Sequence, residues 1–450
     1  MASSARCALF TPISTQQLGN GLAHRARFWQ EVLAHFGSVT TVLIPLAGGP
    51  VALGSQQDDE IVVPLVDAAP ATSYLPARAR RAPESEGRRW QAGVSDFDLV
   101  VVLRSYCAPF AFGAVAGTSA SIIVDVDDDD AAFLTEAGQH EEAARYRALL
   151  EEISRRAQLV VSVTGFGSTT AVANSVTPAP PRPKDRVPGR RAVMVGNFGY
   201  PPNVEGARWF IDEVLPLTHG AAASMEFVIA GPGSEQFVPY GVGFAPDLTG
   251  LYSSADAVVV PLLSGSGSRI KAIEAFGAGV AVVGTSVGLA GLDLRAGVDC
   301  LMADEPFDFA RALVRLLDEP ETAARIADNA TADVVPIYSR SVVARAADQL
   351  LQTCLDHPTT PVLARARSLE VAESHDGVVV TDTATMTVHH LNASAAAVFL
   401  LADGSTSAAE MVAELEQSYG ASAELSDKVG AAVMALAKAG LIVLRCPRHN

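Results

Sequence analysis

Short apolar runs alternate with stretches of helical periodicity through most of the chain. In the first 176 residues the runs are Arg6–Pro12, Val39–Pro45, Asp98–Arg104, Ser121–Val126 and Leu159–Val163. An amphipathic helix is expected from about Leu22 to Phe36, directly after Gly19-Asn20-Gly21. This alternation predicts a parallel sheet covered by helices. The proline-rich, polar segment Thr177–Gly189 reads as a stiff linker. A second alternating block follows, with strands expected at Ala192–Gly196, Glu226–Gly231, Asp256–Pro261 and Val280–Gly284. Its helices are expected near Val204–Leu215, Leu248–Ser253, Ser268–Gly277 and Phe307–Leu317, and Ser341–Cys354 closes the block.

The pattern changes at His357-Pro-Thr-Thr-Pro361. Three strand-like runs (Ser368–Ala372, Gly377–Asp382, Met386–Leu391) precede three helices (Ala393–Leu401, Ser407–Tyr419, Leu425–Ala439), and Leu441–Leu444 could close as a strand. The expected fold class is α/β: two Rossmann-like domains, 1–176 and 190–355, plus a small α+β winged-helix-like domain over 366–446. Two doubly wound domains in series place a cleft between the carboxyl ends of their sheets, where ligands bind.

Composition narrows the function. A net charge of −17 argues against nucleic acid or an anionic membrane as partner, since both demand basic surface. An anionic ligand then needs a local positive pocket. Lys184, Lys271, Lys428 and Lys438 are the only lysines among 33 basic residues, so Lys271 stands out. Cys7, Cys107, Cys300, Cys354 and Cys446 are scattered without C-x-x-C pairing, which fits a reducing compartment and opposes a zinc site. No run approaches the roughly 18 apolar residues of a membrane span, and a cytoplasmic location is expected.

The most specific chemistry lies where the apolar run Asp256–Leu262 breaks at Gly265 and Gly267. Small residues let backbone approach phosphate, and a helix N-terminus favours an anion. Gly265, Ser266, Gly267 and Ser268 are therefore donor-binding candidates. Lys271 and Glu274 share a helix face one turn in, with Arg269 able to reach a diphosphate or point to solvent. A cation near phosphates and a carboxylate accepting from two sugar hydroxyls suit a nucleotide-sugar site. On the opposite half, Gly19 and Gly21 follow the first strand, and Arg104 and Tyr106 end another, as cleft-facing candidates. The run Asp125–Asp130 reads as a strand end and helix N-terminus rather than a metal site, with Asp127 on the acceptor side. His24 is not taken as a base.

These residues resemble the retaining glycosyltransferases of family four, which have the two-domain GT-B fold. The resemblance covers roughly Ala5 to Cys354. It rests on Val195-Gly-Asn-Phe-Gly-Tyr-Pro-Pro-Asn203, Ile229-Ala-Gly-Pro-Gly233, Leu248-Thr-Gly-Leu-Tyr252 and Glu274-Ala-Phe-Gly-Ala-Gly-Val280. It implies transfer from a UDP, GDP or dTDP sugar as co-substrate, with no bound cofactor and no required metal. Lys271, Glu274 and Arg269 are then the catalytic candidates, with Gly196, Asn197 and Asn203 on the donor. The chain departs from the family where Ser266 stands at the first glutamate position and where Asn197 and Asn203 lie near the usual arginine and lysine.

The last eighty or so residues resemble the PqqD-like peptide-recognition domain of ribosomal peptide modification. The matching residues are Val388-His-His-Leu-Asn-Ala-Ser-Ala-Ala-Ala-Val-Phe399, Asp403-Gly404, Ala409-Glu410 and Ala439-Gly-Leu-Ile442. In that family a leader peptide adds as a strand beside the third strand, here Val388, His389, His390 and Leu391. A ribosomally synthesised precursor peptide and a nucleotide sugar are the partners this implies. A small-molecule acceptor, or a docking scaffold without turnover, remains open on the residues alone. DNA binding by the winged-helix-like domain is disfavoured, since Leu425–Ala439 carries only Lys428 and Lys438.

Overall fold

The computed structural model describes residues 5–17, 21–44, 60–63, 84–90, 97–165, 169–178, 189–218, 225–245, 248–265, 269–356, 362–366, 369–374, 377–383, 386–419, 425–439 and 441–445. The first block folds as β1 (Ala5–Thr11), β2 (Gly37–Leu43), β3 (Glu60–Val62), β4 (Leu99–Leu103), β5 (Ser121–Asp125), β6 (Leu159–Ser162) and β7 (Thr170–Ala171). These strands make one sheet in the order β3-β2-β1-β4-β5-β6-β7, with every pair parallel. Strand β4 is buried at all its positions, as a central strand covered on both faces must be. The helix Gly21–Ala34 buries Phe28, Trp29, Val32 and Leu33 against one face.

The second block forms β8 (Arg191–Val195), β9 (Glu226–Ala230), β10 (Ala257–Val260), β11 (Ala281–Gly284) and β12 (Leu301–Met302), ordered β12-β11-β10-β8-β9 and again parallel. The strand order reverses between β1 and β4 in one sheet and between β8 and β10 in the other. Loops leaving a reversal diverge, so a crevice opens at the carboxyl ends there. The helix expected from Val204 starts earlier, as Pro201–Trp209, because proline's fixed φ suits the first helical turn. It runs on through a π-helical segment, Phe210–Val214. A helix at Pro320–Asp333 was not anticipated from the pattern.

The closing helix, Arg340–Asp356, follows the second block in sequence but packs on the first. Val343, Ala347, Leu351 and Cys354 form a stripe that joins Cys7, Leu9, Trp29, Val101 and Ile123 in one core. The carbonyl of Cys354 accepts from Gln158 Nε2 at 2.9 Å and Ser121 Oγ at 3.4 Å.

The last block contains β13 (Val362–Arg365), β14 (Leu369–Ser374), β15 (Gly377–Asp382), β16 (Thr387–Asn392), β17 (Asp403–Ser407) and β18 (Ile442–Arg445). The three expected helices appear as Ala393–Leu401, Ala408–Tyr419 and Leu425–Lys438. Strands β14-β15-β16 form an antiparallel meander, and β13 pairs with both β17 and β18 in a second small sheet. Val378 and Val380 of β15 meet Phe399, Met411, Val433 and Leu436 in the core of this block. Sequence reading found neither β13 nor β17.

Candidate active site

On the donor side, the helix Ile270–Gly277 follows β10 with Arg269 as its N-cap. Ala272, Ile273, Ala275 and Phe276 are buried beneath it, which turns Lys271 and Glu274 to the other face. Lys271 Nζ donates to Asn203 Oδ1 at 2.5 Å, and Asn203 Nδ2 donates to the carbonyl of Asn197 at 2.8 Å. That chain ties the loops after β8 and β10 across the switch point. Glu274 Oε2 accepts from the Tyr252 hydroxyl at 3.1 Å. Arg269, buried, donates to the Gly265 carbonyl at 2.7 Å. Ser266, Gly267 and Ser268 lie outside the described residues, as does Gly19.

Glycine is needed where these loops crowd. A Cβ at Gly206 would sit 2.5 Å from the Pro261 carbonyl oxygen. At Gly231, whose φ is 128°, it would sit 1.9 Å from the carbonyl oxygen of Gly196.

A cavity of about 340 Å³ opens between the two halves. Gly196, Asn197, Asn203, Arg269, Lys271 and Glu274 line it from the donor side, together with Tyr200. Gly21, His24, Arg27, Asp127, Asp128 and Asn174 line it from the other half. Phe133 and Tyr200 meet across the cleft with ring centroids 5.5 Å apart. His24 Nε2 donates to the Ser175 carbonyl at 2.8 Å. Burial, then the charge of Arg340, lowers the pKa of its imidazole.

Behind this wall runs a buried charge network. Asp125 accepts from Arg25 Nε and Trp29 Nε1, each at 2.5 Å. Arg104 donates to Asp127 at 3.0 Å and to Asp130 at 2.6 Å. Arg104 and Tyr106 are only 1% and 2% exposed and are not among the cavity's lining residues, whereas Asp127 is. The strand-end rule located both correctly in the fold but could not say that their side chains turn beneath the surface.

Electrostatics at the cavity follow from burial. It pushes Lys271 down to about 7, with Arg269 adding to the effect and Glu274 opposing it. It pushes Glu274 up to about 7 against the Tyr252 hydrogen bond and Lys271. It pushes Asp128 up to about 8, with Asp127 next in effect. Tyr200, Tyr252 and Asp128 are the site groups that sequence reading did not assign. Tyr252 already stood in the Leu248–Tyr252 run, but nothing local pointed it at Glu274.

In the last block β16 is an outer strand of its sheet. Val388 is 53% exposed and His390 is exposed, while His389 and Leu391 are half-buried, so the two histidines do face opposite ways. Among the described residues, no group of three or more His, Cys, Asp or Glu is arranged to hold a metal ion. No described helix is long and apolar enough to cross a membrane.

Comparison with known proteins agrees with this arrangement. Residues 189–319 match the family model of group 1 glycosyl transferases, and residues 377–442 match that of coenzyme PQQ synthesis protein D (PqqD). Sucrose-phosphate synthase from Thermosynechococcus elongatus superposes with a TM-score of 0.61 at 14% identity, over 78% of this chain and 99% of its own. HepE from Anabaena, solved with UDP and glucose, gives 0.57 at 12% identity, over 78% of this chain and 100% of its own. At such identities the likeness is one of fold. An uncharacterized 44.6 kDa protein in the cps region of Klebsiella pneumoniae is 23% identical over 167 residues, 34% of this chain. The chain spans 43% of the length of that curated relative. Both family matches fall on the motifs that carried the two resemblances, and the chain joins a group 1 glycosyltransferase domain, set within a GT-B pair of α/β halves, to a C-terminal PqqD domain.

Proposed function

We propose that the protein transfers a sugar, with retention of configuration, from a nucleoside diphosphate donor to a side chain of a ribosomally made peptide. In this reading 1–176 is the acceptor domain, 190–355 binds the donor and 366–446 captures the leader. One observation carries it: Lys271 and Glu274 line one cavity, on a chain that also ends in a PqqD domain.

Charge grows on the leaving diphosphate as the glycosidic bond breaks, so fixed positive groups there lower the barrier most. Lys271, Arg269 and the helix N-terminus beside Gly265 take that role in place of a metal ion. Asn203 holds the Lys271 ammonium in place. Glu274 accepts from ribose hydroxyls. The leaving phosphate takes the acceptor's proton, so no side-chain base is required. Asp127 lies on the acceptor wall, with Arg104 and Tyr106 supporting it. A UDP sugar is the first donor to test, followed by GDP and dTDP sugars.

Among the described strands β16 pairs only with β15, and we place an extended leader along its outer edge, with Val388, His389, His390 and Leu391 supplying the adjoining side chains. Tethering then raises the effective concentration of the peptide at the cleft. The reading assigns the reaction to the cytoplasm, where precursor and donor are both made. Co-expression with a candidate precursor, followed by intact-mass analysis, tests it. An added hexose or deoxyhexose that vanishes with Lys271→Ala is the expected result. An unmodified precursor beside measurable leader binding would favour a docking scaffold instead.

A further inference from the structure

Two non-glycine residues behind the acceptor wall adopt left-handed backbone conformations, Arg104 with φ 76° and Asp127 with φ 63°. Such conformations are strained and persist only where surroundings over-determine them. Here the surroundings are the buried network. The Asp127 N–H donates to Asp125 Oδ1 at 2.9 Å, while the Asp127 carboxylate is drawn back to Arg104. The next residue is consequently turned outward, and Asp128 lines the cavity.

Three carboxyl groups stand among the cavity's described lining residues: Asp127, Asp128 and Glu274. Asp127 is engaged by Arg104, and Glu274 by Tyr252. Asp128 makes no side-chain hydrogen bond or ion pair among the described residues. Its charged neighbours on its own half are Asp127, Arg104, Asp130 and Arg25, and across the cavity it also influences Arg269 and the Tyr200 hydroxyl of the opposite half. Arg269 in turn is bonded to Gly265, at the loop assigned to the diphosphate. Asp128 and Arg269 thus line the same cavity from opposite halves.

We propose that Asp128 contacts the sugar being transferred, exchanging hydrogen bonds with its hydroxyls, and that this contact helps determine which sugar is accepted; Arg104 is the positioning residue that presents it. The inference rests on the donor reading of the cavity given above. A carboxyl matched to a hydroxyl discriminates well, because a sugar lacking that hydroxyl leaves a desolvated polar group unpaired.

Calorimetry on the full chain tests this with UDP, GDP and dTDP first, then with the glucose, galactose and N-acetylglucosamine derivatives of whichever nucleotide binds. Asp128→Asn and Asp128→Ala should bind the bare nucleotide as the wild type does. Both should lose about tenfold in affinity for the best-bound sugar nucleotide and flatten the spread among sugars. Arg104→Gln should reproduce that pattern, with Arg104→Lys recovering part of it; should Arg104→Gln not fold, the Asp128 pair still decides. Unchanged sugar-nucleotide affinity, or a parallel loss for the bare nucleotide, overturns the proposal alone. Silence of the wild type toward every nucleotide overturns the donor reading, and this inference with it.

Discussion

Lys271 and Glu274 show how two buried ionisable groups lining one cavity weigh on the stability of the protein. Burial depresses Lys271 to about 7, below the unfolded value near 10.5, so its charge opposes folding at neutral pH and the penalty lifts as pH rises toward 10.5. Glu274, raised to about 7 from near 4.5, imposes no penalty below 4.5 and a growing one as pH climbs to about 7. Glu274→Gln should therefore stabilise the protein by roughly 1–3 kcal/mol at pH 8 and by nothing at pH 4. Thermal unfolding at the two pH values measures this, and the same variant should lose donor affinity. Lys271→Ala should reduce transfer by about a hundredfold or more, read as turnover of the nucleotide sugar at saturating precursor. Both residues were legible in sequence because their spacing on one short helix sets their shared face. Arg104 was named from its place at a strand's end, but its burial was not legible, because its partners Asp127 and Asp130 are 23 and 26 residues away.

At the level of elements, the third block turns on which strand edges stay open. Strand β13 pairs Val362 with Arg445 and Leu363 with Leu444, so its existence depends on residues at the far end of the domain. Four-residue strands of this kind carry too little local pattern to be recognised alone. The three runs that become β14, β15 and β16 were legible as strands, and the structure pairs them with their neighbours in sequence as an antiparallel meander. Val388→Glu should weaken capture of a labelled leader peptide about tenfold by fluorescence polarisation, because it adds negative charge at the edge of an acidic protein. Nucleotide affinity should be unaffected, since no residue of β16 lines the cavity.

For the whole molecule, the helix Arg340–Asp356 couples the halves. It leaves the second block beside Val176, whose N–H donates to the Tyr338 carbonyl at 2.8 Å and whose carbonyl accepts from the Arg340 N–H at 2.9 Å. It then completes the core under the first sheet. Leu351 is fully buried there, and Leu351→Ala should cost about 2–5 kcal/mol. Hydrogen exchange localises the effect: protection should fall in β1 and β4 and remain in β8 and β10. Uniform loss across both sheets would mean that the halves do not unfold separately.

Sequence alone determined the two parallel-sheet blocks, the helix that follows β10 and the shared face of Lys271 and Glu274 on it, because each rests on periodicity or spacing within a few residues. It also determined the change of architecture near residue 360, where composition shifts. Tertiary structure decided which half the closing helix serves, which two aspartates of the Asp125–Asp130 run reach the cavity, and that Arg104 is buried. Those outcomes depend on contacts between segments distant in the chain, and no local pattern encodes which of several compatible partners a side chain will meet.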